Sequence, residues 1–185
     1  MKQHFRKNKL NILLKHPQNL FHTKDLALLW DIKNVNTLYT TIQRYVKNGT
    51  LIRIQKGFYS KKPFNQLDPI RLGMSFLHSF CYLSVESVLV KEGIIFQSIP
   101  YITLISNKSK KFKIGNYSYI SRQMKDKFLF NDAGIVEKNN IKQATLERAI
   151  ADITYYNPSY YFDASNLINW KKVKKIQKEV GFNLK

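Results

Sequence analysis

At 185 residues, 44% hydrophobic and 14% aromatic, the chain can form one large domain or two small ones, and its apolar content excludes global disorder. Its formal charge of +19, from 31 Lys+Arg against 12 Asp+Glu, implies a polyanionic partner, either nucleic acid or an anionic membrane surface. A single cysteine excludes an intramolecular disulfide, and no run approaches the ~20 apolar residues of a membrane span.

The charge is uneven. Residues 1–62 carry 13 Lys+Arg against 2 Asp+Glu (+11), residues 63–170 carry 12 against 9 (+3), and residues 171–185 carry 6 against 1 (+5). An AT-rich genome would raise lysine throughout, so the asymmetry says more than the total. The first 20 residues are basic but have neither a continuous apolar stretch nor a small-residue cleavage site, which points to a cytoplasmic protein.

His4 to Lys15 reads as a first helix, with Phe5, Leu10, Ile12, Leu13 and Leu14 available to pack. It stops at His16-Pro17, because the residue before a proline is pushed out of the α region. Thr23 is expected to cap a short run containing Leu26, Leu28, Leu29 and Trp30. After a break at Asp31 to Asn34, Asn36 is expected to cap a second helix with Leu38, Ile42, Tyr45 and Val46 on one face. Asn48-Gly49 ends it. Two β-like runs follow, Leu51 to Gln55 and Phe58 to Ser60, joined by Lys56-Gly57. Helix, turn, helix and hairpin in this order outline a winged helix-turn-helix, which lays one helix in a DNA major groove.

On the face opposite Leu38 and Ile42 stand Asn36, Thr37, Thr40, Gln43, Arg44 and Lys47, with no acid among them. Asn36, Thr37, Thr40 and Gln43 are the expected base contacts. Lys33, Arg44, Lys47, Arg53 and Lys56 are the expected phosphate contacts. Each alone is an ordinary solvated residue; together they point to double-stranded DNA.

The polar joint Asn65 to Pro69 places a boundary near residue 66. A winged helix-turn-helix domain over 1–66 and a mixed domain over 67–185, with a small, mostly antiparallel sheet, make the chain α+β. Asp68 or Pro69 opens a helix to about Phe80, where Cys81 is expected to be a buried structural thiol. A second helix runs from a Ser84 cap to Glu92, with Glu86 at its positive end. Tyr101 to Ser106, Lys111 to Ile114, Tyr117 to Arg122 and Gly134 to Glu137 are expected strands, with turns at Gly115-Asn116 and Asn139-Asn140. A helix from Thr145 to Tyr156 turns Leu146, Ala149, Ile150 and Ile153 inward, and Glu147, Arg148 and Asp152 outward or to a rim. The last helix, within Asp163 to Val180, places Leu167, Trp170, Val173, Ile176 and Val180 at helical spacing, with five lysines on the remaining faces. Those lysines form a solvated face, a second phosphate-contacting surface or, least in keeping with the N-terminal pattern, a basic membrane-surface helix.

Catalysis finds little support. His4, His16, His22 and His78 are scattered, no cysteine pair exists and no glycine-rich phosphate loop appears, so neither metal nor cofactor is expected. Asp132, Glu137 and Lys138 only loosely echo a nuclease's Mg²⁺-binding acids and lysine. Glu147 and Asp152 point in different directions on one helix. Tyr155, Tyr156, Tyr160 and Tyr161 would serve an RNA-binding alternative by stacking on bases.

Three segments resemble one family. Gly57-Phe58-Tyr59 is similar to the "rGvY" wing of AbiE-type antitoxins of bacterial abortive-infection (type IV toxin–antitoxin) systems. Tyr82-Leu83-Ser84-Val85-Glu86-Ser87-Val88-Leu89, followed by Gly93, resembles that family's "YvSheSAL" helix. Ala144-Thr145-Leu146-Glu147-Arg148-Ala149-Ile150-Ala151-Asp152 resembles its "AtpEkAllD" helix. The resemblance covers about Phe21 to Asp152. It implies a transcriptional regulator that represses its own operon at operator repeats and counters a co-encoded, nucleotidyltransferase-like toxin.

Overall fold

The structure, a computed structural model, describes residues 8–182. The chain divides into two compact units between Asp68 and Pro69, inside the polar joint. Among the described residues there are eight α-helices and two sheets, a mixed α/β architecture. No helix among them is long and apolar enough to cross a membrane.

In the first unit, α1 (Lys9–Lys15) starts at Asn8, whose Oδ1 accepts the Leu10 N–H at 3.0 Å. Residues 4–7 of the helix expected from His4, Phe5 among them, lie outside the described residues. Strand β1 (Leu20–His22) is unanticipated by the sequence, since three residues are too few to show alternation. Thr23 opens α2 (Thr23–Leu29) as its first residue; the cap residue is His22, whose N–H donates to Asp25 Oδ2 at 2.7 Å.

Helix α3 (Val35–Lys47) is capped by Asn34, not by Asn36. The Asn34 Oδ1 accepts the Thr37 N–H at 3.0 Å from an extended backbone, while Asn36 is already the second helical residue. Two asparagines two positions apart satisfy the same preference, so the sequence alone mislocates the cap. Leu38, Ile42 and Tyr45 turn inward and meet Leu13, Phe21, Leu26, Trp30, Leu51 and Tyr59 in one cluster. Each fully buried apolar side chain there stabilises by about 1.5–3 kcal/mol relative to exposure. The Trp30 indole N–H is satisfied by the Lys9 carbonyl at 3.1 Å.

The helix is capped at Asn48 and followed by Gly49, where φ is +70°. Strands β2 (Ile52–Gln55) and β3 (Phe58–Ser60) form a hairpin through Lys56-Gly57, and β1 adds to the far side of β3, all antiparallel. Gly57, at φ +76°, takes the left-handed conformation this turn requires. A bulge between Arg53 and Gln55 sharpens the local twist of the hairpin.

The second unit holds α4 (Pro69–Leu77), β4 (Cys81–Leu83), α5 (Glu86–Lys91), β5 (Ile102–Ser106), β6 (Lys110–Ile114), β7 (Tyr117–Gln123), α6 (Asp126–Leu129), β8 (Ile135–Lys138), β9 (Ile141–Ala144), α7 (Leu146–Tyr156) and α8 (Trp170–Val180). Its sheet runs β6-β7-β5-β4-β9-β8. This corrects the expected small sheet: there are six strands. Three of the five pairings, β4–β5, β6–β7 and β8–β9, are antiparallel, and β4–β9 and β5–β7 pair in parallel. The missing strands were β4 and β9. All three residues of β4 are buried, so it lacks the alternation that marks a one-sided strand and merges with the apolar run before it. Asn139 and Asn140, both at positive φ, make the tight turn between β8 and β9.

Ser84 does not cap α5. The cap position is Val85, and the Ser84 hydroxyl donates instead to Asp152 Oδ2 at 2.7 Å. Glu86 does stand in the first turn, where it also pairs with Arg122 of β7.

Candidate nucleic-acid interface

Helix α3 divides sharply around its circumference. Leu38, Thr41, Ile42 and Tyr45 are buried; Asn36, Thr37, Thr40, Gln43, Arg44 and Lys47 are all exposed. Lys33, in the turn before the helix, is exposed, and so are Arg53 on β2 and Lys56 in the hairpin turn. All nine residues singled out in the sequence therefore stand at the surface of the first unit. Seven are gathered on α3 and its entry turn; Arg53 and Lys56 sit apart on the hairpin.

Hydrogen bonding within the helix determines what each polar group has left to offer. Thr37 Oγ1 donates to Asn34 Oδ1 at 3.3 Å, and Thr40 Oγ1 donates to the Asn36 carbonyl at 2.9 Å. Both hydroxyls have spent their proton, so outward they present acceptor lone pairs and a methyl group. The Asn36 and Gln43 amides each carry a donor and an acceptor, the pair that a bidentate contact to adenine requires. The Arg44 guanidinium lies 5.4 Å from the Tyr45 ring centroid.

Tyr39, not among the residues that spacing and charge single out, is 48% exposed. Four residues before Gln43, and so its neighbour on the helix surface, it borders the polar face. Val35, at the start of the same helix, is also exposed.

The second unit buries one ion pair completely. Arg148 and Asp152, expected outward or at a rim, are both fully buried and paired, Nε to Oδ1, at 2.8 Å. Arg148 Nη1 donates to the carbonyls of Asn131 (2.9 Å) and Ala133 (2.7 Å), and Nη2 to Tyr82 Oη (2.9 Å) and the Phe128 carbonyl (3.0 Å). All five guanidinium donors are thus used. Asp152 Oδ2 also accepts from Tyr82 Oη (3.1 Å) and Ser84 Oγ (2.7 Å). Burial pushes the Asp152 carboxyl above its ordinary range, while Arg148 and the donated hydrogen bonds pull the other way. So complete a set of partners leaves nothing pointing at a substrate, and the cluster fastens the loop after α6 to α7.

Asp132, Glu137 and Lys138 are exposed, with Glu137 facing Lys142 across the β8–β9 ladder. Among the described residues, no group of three or more His, Cys, Asp or Glu could hold a metal ion. The tyrosines of the RNA alternative divide. The Tyr155 ring stacks on Phe182 at 4.8 Å, and the Tyr156 hydroxyl donates to the Gln123 carbonyl at 2.8 Å. Tyr160 lies beside Phe162, and Tyr161 alone is largely exposed. They form no common platform for bases.

No family model matches the chain, and no curated protein does. Among solved structures, it is similar to the crystal structure of the RV2827C protein from Mycobacterium tuberculosis. The two are 13% identical with a TM-score of 0.53, over 91% of this chain and 69% of that one. At that identity the likeness concerns the fold alone.

Proposed function

We propose that this protein is a DNA-binding transcriptional regulator, with its first unit a winged helix-turn-helix in which α3 enters the major groove and the β2–β3 hairpin is the wing. The observation that carries this is the exposure of an acid-free polar face on α3 directly opposite its buried one. A helix about 10–12 Å across with its side chains fits a groove about 12 Å wide. Arg44, Lys47, Lys33, Arg53 and Lys56 supply charge to phosphates, and Asn36, Gln43, Thr37 and Thr40 read base edges.

The three segments resembling AbiE-type antitoxins extend this to an autorepressor of an abortive-infection operon, acting in the cytoplasm against a co-encoded nucleotidyltransferase-like toxin. The test is a promoter reporter carrying the region upstream of the protein's own reading frame, paired with a salt titration of binding to the same duplex. The expected outcome is repression of the reporter and a plot of log affinity against log salt with a slope of at least about −4, from five phosphate contacts. A reporter indifferent to the protein, or affinity indifferent to salt, rejects the proposal.

A further inference from the structure

The winged-helix reading leaves half of the charge unexplained. Residues 69–185 carry 18 Lys+Arg against 9 Asp+Glu, a net +9, nearly equal to that of residues 1–68. Arg122 and Arg148 are engaged in ion pairs within the fold. The densest remaining group is on α8, where Lys171, Lys172, Lys174, Lys175 and Lys178 are all exposed.

These lysines are not spread evenly around the helix. Val173 and Val180 are buried and Ile176 half-buried, which fixes the inward side. Lys171, Lys174, Lys175 and Lys178, spaced i, i+3, i+4 and i+7, form a single stripe on the opposite side. Lys172 reaches Glu147 at 3.9 Å and Lys175 reaches Glu179 at 3.8 Å. Among the described residues, Lys171, Lys174 and Lys178 meet no acid.

We infer that this stripe is a second duplex-DNA contact, in addition to the one proposed for the first unit. The inference rests on duplex DNA being the partner, as proposed above. From Lys171 to Lys178 the stripe extends about 10 Å, a length over which duplex DNA presents about six phosphates. A membrane surface fits less well. A helix lying in a bilayer interface must bury its apolar face in lipid, and on α8 Val173 and Val180 are already buried in the protein, with Ile176 half-buried and Trp170 alone exposed among the helix's apolar residues. Lysine ammonium groups are point charges without the planar fork that reads a base edge, so this contact adds affinity without sequence preference.

The test compares three full-length proteins on one random-sequence duplex several helical turns long: wild type, Lys171→Ala/Lys174→Ala/Lys178→Ala, and Arg44→Ala/Lys56→Ala. The α8 variant should bind at least about tenfold more weakly, with a salt slope shallower by about 2–3. Replacing the same three lysines with arginine should restore binding, which separates charge from damage to the helix. Unchanged affinity and slope in the alanine variant overturn the inference. Loss of binding to phosphatidylserine vesicles with DNA binding intact overturns it too and assigns the stripe to a membrane. If the α8 variant is weakened and Arg44→Ala/Lys56→Ala is not, the stripe stands and the winged-helix assignment falls; the reverse pattern leaves only the winged helix.

Discussion

The Arg148 guanidinium and the Asp152 carboxylate, one helical turn apart on α7, are joined at 2.8 Å with both side chains wholly excluded from solvent. Removing either partner leaves a buried charge without compensation, at a cost of about 3–5 kcal/mol. Arg148→Ala is expected to be the worse of the two, because it also orphans the carbonyls of Phe128, Asn131 and Ala133. Arg148→Lys should not rescue it, since one ammonium cannot reproduce a five-donor fork. Urea unfolding checks this: the midpoint should fall in the order wild type, Asp152→Ala, Arg148→Ala, with an unchanged m value.

Alkaline pH should destabilise the protein through the second unit. Burial pushes the Cys81 thiol up to about 12, and burial also raises the Tyr82 and Tyr156 hydroxyls. Each group keeps its proton in the folded state at a pH where the unfolded chain has released it. The folded state then binds more protons, so stability is fully present below the unfolded values and is lost as pH rises above about 9. Melting temperature measured from pH 7 to 11 should be flat and then fall. Cys81→Ala should flatten part of the fall, and a curve that rises above pH 9 would contradict the burial of these groups.

Gly73 is required by space alone. A Cβ built on it would overlap the ring of Tyr119, which is itself 1% exposed, stacked on Phe112 and tethered by its hydroxyl to the Pro69 carbonyl at 2.8 Å. With no room for the ring to yield, Gly73→Ala should cost about 1–3 kcal/mol despite alanine's better helix propensity. Thermal denaturation reads the sign directly; a stabilised variant would show that α4 and β7 lie farther apart.

The two asparagines at the start of α3 should behave oppositely. Asn34→Ala removes the cap and should cost about 1 kcal/mol of stability. Asn36→Ala should leave stability nearly unchanged and instead weaken binding to the cognate duplex, by about 1–3 kcal/mol if its amide pairs with adenine. Denaturation and binding curves on both variants separate the roles; a destabilised Asn36→Ala would return the cap to that position.

What the sequence made legible follows from period. Helices with one buried face, such as α3 with Leu38, Ile42 and Tyr45, and the strands from Ile102 to Gln123 could be read from spacing and turn residues. Strands β1 and β4 could not, because three residues cannot display alternation and a strand buried on both faces has none. Charge misled where it was internal: Arg148 and Asp152 look like surface residues until a fold brings Tyr82, Ser84 and three loop carbonyls around them. The nine candidate DNA contacts needed only a helix and a hairpin, the features that local sequence specifies best.

The most direct measurement is a mobility shift on the duplex upstream of the protein's own reading frame, comparing wild type with Arg44→Ala/Lys56→Ala and confirming by circular dichroism that both are folded. Wild type should shift the duplex, and the double variant should fail to do so at concentrations that saturate wild type. A folded double variant that shifts the duplex as wild type does would contradict the assignment of α3 and the hairpin as the DNA-reading surface.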